Sequence, residues 1–132
     1  LLGEADAYVF LGDGTDAVAA YTQKPVYRVR GNCDWDAYDV PDELLLNLDG
    51  HSVFCCHGHI YDVKSSLSRL ASAARARGAR CALYGHTHIA DVSLVDDVLC
   101  VNPGALSSPR SASRALLHIN DKEIVPILRN LT

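Results

Sequence analysis

Several apolar runs in this 132-residue sequence end abruptly in a polar side chain that stands beside glycine. The clearest is the run 81–84, which leads directly into Gly85-His86-Thr87-His88. Side chains alternate along extended backbone, so His86 and His88 can point to the same side of the chain. Two neutral imidazoles aimed at one point are good ligands for a divalent metal ion, although a polar turn can contain the same residues. The pattern predicts a buried strand that carries ligands at its carboxyl end.

Three earlier apolar runs repeat this arrangement and lead in turn to Asp13, Asn32 and His57. In open α/β sheets, ligands bind at the carboxyl ends of the strands. Each residue alone has an ordinary structural interpretation. Asp13 would cap a helix over 16–21, Asn32 would form an Asx turn, and a lone buried histidine is usually structural. Four such strand ends in one short chain favour a shared site.

The rest of the pattern predicts an α/β domain with three β-hairpins and one amphipathic helix. Apolar runs flank turn residues at Asp49-Gly50, at Asp96-Asp97 and at 120–122, which indicates antiparallel pairs. Apolar residues recur every three or four positions over 65–77, which predicts a helix. Ser65 or Asp62 would cap its start, and Gly78 would end it.

Composition narrows the function classes. The formal net charge is −4, which argues against a broad nucleic-acid surface. No apolar run approaches the roughly 18–20 residues that a membrane span needs. The five cysteines are an odd number without a Cys-x-x-Cys pair, which indicates a reducing compartment, the cytoplasm, rather than a disulfide framework. The sequence is compatible with a homo-oligomer as well as with a monomer.

The ordered set Gly-Asp, Gly-Asn, His-Gly and Gly-His-x-His resembles the calcineurin-like metallophosphoesterase superfamily. The finer motifs resemble its small YfcE-type phosphodiesterase branch. They are Gly31-Asn32-Cys33-Asp34, His57-Gly58-His59, Gly85-His86-Thr87-His88 and Asn102-Pro103-Gly104 followed by Pro109-Arg110. The resemblance implies a sandwich of two mixed β-sheets flanked by helices. It extends over nearly the whole chain, so residues 1–132 are predicted to form one domain.

The resemblance also implies a site for two divalent metal ions, roughly 3.5–4 Å apart, that activate a hydroxide for attack on a phosphate ester. Asp13 would bridge both ions, and His88 would bind one of them. Asn32, His57 and His86 would complete the ligands of the other. Mn²⁺ is the expected metal, with Ni²⁺, Zn²⁺, Fe²⁺, Co²⁺ and Mg²⁺ as alternatives. The implied substrate is a small molecule with a phosphodiester bond.

Two departures from the family pattern stand out. The family begins with a strand that ends in Asp-x-His, and no Asp-x-His precedes Asp13 here, so a first strand-helix unit is expected to be missing. The residue after Asn32 is Cys33, where many relatives have a histidine as general acid. A neutral thiol is a poorer acid than imidazolium, so Asp34 is a second candidate.

Two further residues are candidates for substrate contact, each with a structural alternative. His59 would reach the substrate or pack beside His57. Arg110 would pair with a phosphate oxygen or lie at the surface. The alternative function is a non-catalytic interaction scaffold similar to the retromer subunit Vps29, which has the same fold. The complete histidine set favours the enzyme, since a scaffold has no physical need for it.

Overall fold

A computed structural model describes residues 6–11, 24–31, 40–105 and 113–130. Its centre is a five-stranded mixed sheet with the spatial order β3-β4-β5-β7-β6, accompanied by two two-stranded ribbons, β1-β2 and β8-β9. The strands are β1 (Tyr8–Phe10), β2 (Val26–Arg28), β3 (Glu43–Leu48), β4 (His51–Cys56), β5 (Cys81–Leu83), β6 (Asp91–Val95), β7 (Val98–Asn102), β8 (Ser113–Ile119) and β9 (Ile124–Asn130). The helical elements within the described ranges are a short 3-10 turn, His59–Tyr61, and the helix α1, Ser68–Ala76.

The three predicted hairpins are confirmed. β3 pairs with β4, β6 with β7, and β8 with β9, all antiparallel. The turn between β3 and β4 places Asp49 at φ 51° and Gly50 at φ 87°, the left-handed backbone that suits a two-residue hairpin. In the last hairpin, the Asn120 side-chain oxygen accepts hydrogen bonds from the backbone N–H groups of Lys122 and Glu123.

One face of the five-stranded sheet is covered by α1. Leu70, Ala71 and Ala74 of the helix are fully buried against a cluster that includes Phe54 and Cys56. The opposite face belongs to a second cluster, in which Cys55 lies with Val53 and Leu83. The adjacent residues Cys55 and Cys56 therefore face opposite layers, as strand alternation predicts.

Both ribbons pack on the face opposite α1. Val9 and Leu11 from the first ribbon and Ala115 and Leu117 from the second contact the cluster around Val53. β1 and β2 pair in parallel, and in the described part of the chain the strands of each ribbon form ladders only with each other. The layered α/β sandwich is confirmed, and its second layer consists of two separate ribbons.

The predicted start of the helix is wrong. The helix begins at Ser68 rather than at 65, its N-cap is Leu67, and that residue makes no side-chain capping bond. Asp62 instead closes a turn ahead of the helix, because its carbonyl accepts the N–H groups of Ser65 and Ser66. Gly78 follows the helix at φ 76° and ends it as predicted. None of the helices in the described segments is long and apolar enough to cross a membrane.

We expect alkaline pH to weaken the fold through its buried thiols. Burial raises the pKa of Cys56 and Cys81 to about 12 and of Cys100 to about 11, and it raises the pKa of Cys55 further. The unfolded chain releases these protons near pH 9 while the folded chain retains them, so stability falls as pH rises above that value. The loss is on the order of 1 kcal/mol per thiol and pH unit. Urea unfolding at pH 8 and pH 10 measures it.

Equal stability at pH 8 and pH 10 would contradict this burial effect. Iodoacetamide labelling of the folded protein at pH 8 is an independent check. The thiols of Cys55, Cys56, Cys81 and Cys100 are expected to stay unmodified, because a thiol reacts as its thiolate.

Candidate metal centre

Parallel pairing brings several of the predicted site residues to one edge of the sheet. β4 and β5 run in parallel with Cys55 opposite Leu83, and β5 and β7 run in parallel with Leu83 opposite Val101. The carboxyl ends of all three strands therefore lie side by side. At these ends lie His57 directly after β4, the loop Gly85-His86-Thr87-His88 shortly after β5, and Asn102, the last residue of β7.

His57 is held in one orientation by the second layer of the sandwich. Its side chain is 2% exposed, and its Nδ1 lies 2.7 Å from the backbone oxygen of Leu11. A carbonyl oxygen only accepts hydrogen bonds, so Nδ1 is the donor and Nε2 is the nitrogen left to bind a metal ion. An imidazole whose other nitrogen donates to a backbone carbonyl is the usual arrangement of a metal-ligating histidine.

The Nε2 atom of His57 faces His86. It lies 3.1 Å from Nδ1 of His86, and the two rings meet nearly edge to face. Two nitrogens bound to one metal ion at about 2.1 Å, with ordinary angles, lie roughly 3.0–3.4 Å apart. The observed separation fits this spacing and also that of a direct hydrogen bond between the two rings, so His57 and His86 are compatible with binding a single ion.

His59 completes a cluster of three imidazole rings. Its ring centroid lies 5.3 Å from that of His57 and 6.1 Å from that of His86. Within the described ranges, no group of three or more His, Cys, Asp or Glu side chains has the arrangement needed to hold a metal ion. His88 is exposed. The described residues thus bring together two histidines with the spacing of two metal ligands and a third histidine beside them.

The loop that carries His86 and His88 has an unusual backbone. Both residues lie in the left-handed region, with φ 69° and φ 62°. Such conformations cost on the order of 1–3 kcal/mol per non-glycine residue and cluster at functional sites. The turn is tightened by a hydrogen bond of 2.8 Å from the Thr87 N–H to the Gly85 oxygen. Surrounding contacts must therefore hold this loop in place.

Asn102 supplies those contacts. Its side chain is fully buried, and its Nδ2 donates to Thr87 Oγ1 at 2.8 Å and to the Gly85 oxygen at 3.3 Å. Its Oδ1 accepts the N–H of Gly104 at 2.9 Å. One amide therefore joins the histidine loop to the turn after β7. The sequence pattern indicated only a turn at Asn102, because these partners lie 15 and 17 residues away along the chain.

We expect Asn102→Ala to weaken Mn²⁺ binding roughly 10- to 100-fold, the usual loss when a supporting partner of a metal ligand is removed. Isothermal titration of metal-stripped protein with Mn²⁺ measures the change. Asn120→Ala is the matched control, because Asn120 also bonds backbone N–H groups in a turn but lies in the β8-β9 hairpin. Unchanged Mn²⁺ affinity in a folded Asn102→Ala protein would show that the amide does not support the site.

The other predicted site residues lie outside the described residues. These are Asp13, Asn32, Cys33, Asp34 and Arg110. The described structure does show the strands that precede the first two. Leu11 stands two positions before Asp13, and its backbone oxygen accepts the hydrogen bond from His57. The same oxygen would lie 3.4 Å from a Cβ added to Gly85, so the end of β1 lies close to the histidine loop.

Comparison with known families agrees with this geometry. Residues 1–122 match the sequence profile of the calcineurin-like phosphoesterase superfamily domain. The chain belongs to this superfamily. The calcineurin-like phosphoesterases generally use divalent metal ions, which suits the pairing of His57 with His86.

Two curated relatives illustrate the likeness. The chain is 34% identical over 107 residues to YsnB of Bacillus subtilis (strain 168), named a probable metallophosphoesterase, covering 81% of this chain and 63% of that protein. It is 24% identical over 114 residues to the phosphodiesterase YfcE of Escherichia coli (strain K12), covering 78% of this chain and 56% of that protein. The chain thus spans about three fifths of the length of these relatives.

Solved structures share the fold. A conserved uncharacterised protein of Streptococcus pneumoniae TIGR4, described as a predicted phosphoesterase, superposes with a TM-score of 0.82 at 27% identity, over 97% of this chain and 75% of that one. A single mutant of Vps29 from Entamoeba histolytica superposes with a TM-score of 0.84 at 22% identity, over 98% of this chain and 78% of that one. The second likeness concerns the fold alone. The resemblance stated from the motifs is confirmed.

Proposed function

We propose that this calcineurin-like phosphoesterase is a metal-dependent hydrolase of phosphodiester bonds. The observation that carries the proposal is the pair His57 and His86, whose facing nitrogens have the spacing of two ligands on one ion. The hydrogen bond from Nδ1 of His57 to Leu11 fixes the tautomer that such a ligand requires.

The proposed ligand set extends the pair with residues that follow the other strands. Asp13 is proposed to bridge two ions, Asn32 joins His57 and His86 on one of them, and His88 binds the other. Mn²⁺ is the proposed metal, since mixed nitrogen and oxygen ligands suit it. Bound divalent ions lower the pKa of water and offset the negative charge of phosphate oxygens. The protein's part is to fix the ligands before substrate arrives.

Other residues are proposed to handle the substrate itself. His59 stands beside the ligand pair and is proposed to donate a hydrogen bond to a phosphate oxygen. Arg110 is proposed as a second phosphate contact. Asp34 or Cys33 is proposed to protonate the leaving oxygen, and both are weaker for this task than imidazolium. Diesters with good leaving groups depend least on that proton, so they are the proposed substrates.

The test is hydrolysis of bis-p-nitrophenyl phosphate by metal-stripped protein with and without added Mn²⁺. We expect activity only with Mn²⁺, and faster hydrolysis of this diester than of p-nitrophenyl phosphate, the corresponding monoester. Titration calorimetry on the same protein measures Mn²⁺ binding separately. Equal diester hydrolysis with and without Mn²⁺, or none with Mn²⁺ bound, would overturn the proposal.

The alternative function is an interaction scaffold, and one observation favours it. Ile60 and Ile89 directly follow His59 and His88 and are 56% and 69% exposed. Exposed apolar residues beside a polar site are typical of protein contacts. Absence of both Mn²⁺ binding and hydrolysis would favour this scaffold. We also propose the reducing cytoplasm as its location, which the odd number of cysteines without a Cys-x-x-Cys pair favours.

A further inference from the structure

Tyr61 is the last residue of the 3-10 turn that begins at His59, and its hydroxyl is held firmly. It donates a hydrogen bond of 2.6 Å to Oε2 of Glu43 on β3. The other carboxylate oxygen, Oε1, accepts a hydrogen bond of 2.7 Å from the Arg77 guanidinium at the end of α1. Arg77 also donates to the backbone oxygen of Ala73 at 2.9 Å. Glu43, a residue of the edge strand β3, therefore connects the turn with the end of α1 through these two hydrogen bonds.

Tyr61 and Arg77 also pack against the ring of Phe54. The Tyr61 ring meets the buried ring of Phe54 edge-on, with centroids 5.9 Å apart. The Arg77 guanidinium carbon lies 4.8 Å from the centroid of the same Phe54 ring, within cation-π distance. Burial and the bond to Glu43 raise the pKa of Tyr61 to about 12. The phenol therefore keeps its proton, and its role as donor, throughout the working pH range.

The backbone conformation of the 3-10 turn makes the hydrogen bond between Tyr61 and Glu43 important for the position of His59. Gly58 on one side has φ 106° and Asp62 on the other has φ 54°, both in the left-handed region. Between these two bends, the backbone is closed by a hydrogen bond of 3.1 Å from the Tyr61 N–H to the Gly58 oxygen. The side-chain bond of Tyr61 fixes the far end of this three-residue turn. It is charge-assisted and partly shielded, so it is stronger than an exposed ion pair.

We propose that Tyr61, held by Glu43 and Arg77, is a positioning residue that sets the His59 ring beside His57 and His86. The proposal rests on the proposed function, in which His59 contacts the phosphate. Within the described residues, the side-chain contacts of Tyr61 are with Glu43, Arg77 and Phe54 and not with His57 or His86. Its effect on catalysis must therefore pass through His59.

A double-mutant cycle tests this route. Tyr61→Phe keeps the ring and removes the donor, and we expect kcat/KM for bis-p-nitrophenyl phosphate with Mn²⁺ to fall about 10-fold. In a His59→Ala background the same substitution is expected to change kcat/KM less than about twofold, because its target is gone. Ser93→Ala is the matched control, since it removes a hydroxyl-to-carboxylate bond of the same 2.6 Å length on β6. An equal loss with and without His59 would overturn the proposal.

A readout that does not need activity separates this proposal from the proposed function. The ¹H–¹³C resonance of the His59 ring is expected to shift in Tyr61→Phe and to stay in place in Ser93→Ala. An unshifted His59 resonance in Tyr61→Phe would overturn the positioning role even in an active enzyme. A wild-type protein without Mn²⁺-dependent hydrolysis would overturn the proposed function, and the His59 resonance would still decide the role of Tyr61.

Discussion

The rate of Mn²⁺-stimulated diester hydrolysis is expected to fall at least roughly 100-fold in the His57→Ala protein. This loss is larger than the one expected when a residue that only supports a metal ligand is removed. The substitution removes the Nε2 atom that lies 3.1 Å from His86 Nδ1, so the proposed ion would lose one of its two histidine ligands. It also removes the hydrogen bond to the Leu11 oxygen from a side chain that is 2% exposed. Initial rates at saturating Mn²⁺, together with Mn²⁺ titration, measure both losses.

Two further variants separate ligation from folding. His57→Asn can keep a donor for the Leu11 oxygen but has no atom at the Nε2 position, so we expect a stable and inactive protein. His118→Ala removes an exposed histidine of β8 and is expected to stay within about twofold of wild-type activity. Full activity in His57→Asn would rule out ligation by His57, whatever the stability of the protein.

Replacing Gly104 with alanine is expected to lower the free energy of unfolding by about 2–4 kcal/mol, through backbone strain and overpacking together. Gly104 has φ 84°. A Cβ there would lie 1.9 Å from Ser113 Oγ and 3.3 Å from the Cβ of Ala90. Ser113 is buried, and its hydroxyl donates to the Pro103 oxygen, so it cannot move aside without losing that bond. Urea unfolding measures the change.

Gly50 provides the control for this substitution. Its φ is 87°, nearly that of Gly104, but a Cβ at Gly50 would meet nothing within 4 Å. Gly50→Ala therefore reports the backbone strain alone, about 1 kcal/mol. The excess loss in Gly104→Ala is then the packing contribution. Equal losses in the two variants would show that the turn after β7 relaxes around the added methyl group.

The sequence predicted the strands and the edge of the sheet where the histidines meet. Apolar runs that stop at glycine-flanked polar residues are a local signal, and parallel pairing then brings their carboxyl ends together. His57 and His86 lie together for this reason. The helix start at Ser68 was missed because Asp62, a suitable cap by residue type, closes a separate turn instead.

The supporting contacts of the site could not be predicted in this way. The Leu11 oxygen that orients His57 is 46 residues away along the chain, and Glu43 is 18 residues from Tyr61. Neither contact produces a periodicity or a motif in the sequence, because each depends on how the layers of the sandwich pack. For the same reason, Asn102 had no supporting role in the sequence analysis, where it appeared only within the motif Asn102-Pro103-Gly104. The roles of such residues follow only from three-dimensional packing.

The two layers of the sandwich come from different parts of the chain. Residues 43–102 form the five-stranded sheet, while the ribbons come from either side of that stretch. Hydrogen bonds between the layers include those of His57 with Leu11 and of His51 with Asn120. Segments joined by few hydrogen bonds open separately, so the ribbons are the units expected to exchange their amide hydrogens first.

The proposed ligands are divided between the same two units. His57 and His86 belong to the stretch that forms the central sheet, whereas Asp13 and Asn32 follow β1 and β2 in the sequence. An ion bound by both sets is bound only when the first ribbon is docked, so occupancy shifts the equilibrium towards the docked state. With the proposed ligand set, a higher Mn²⁺ concentration would therefore lower how often the first ribbon opens.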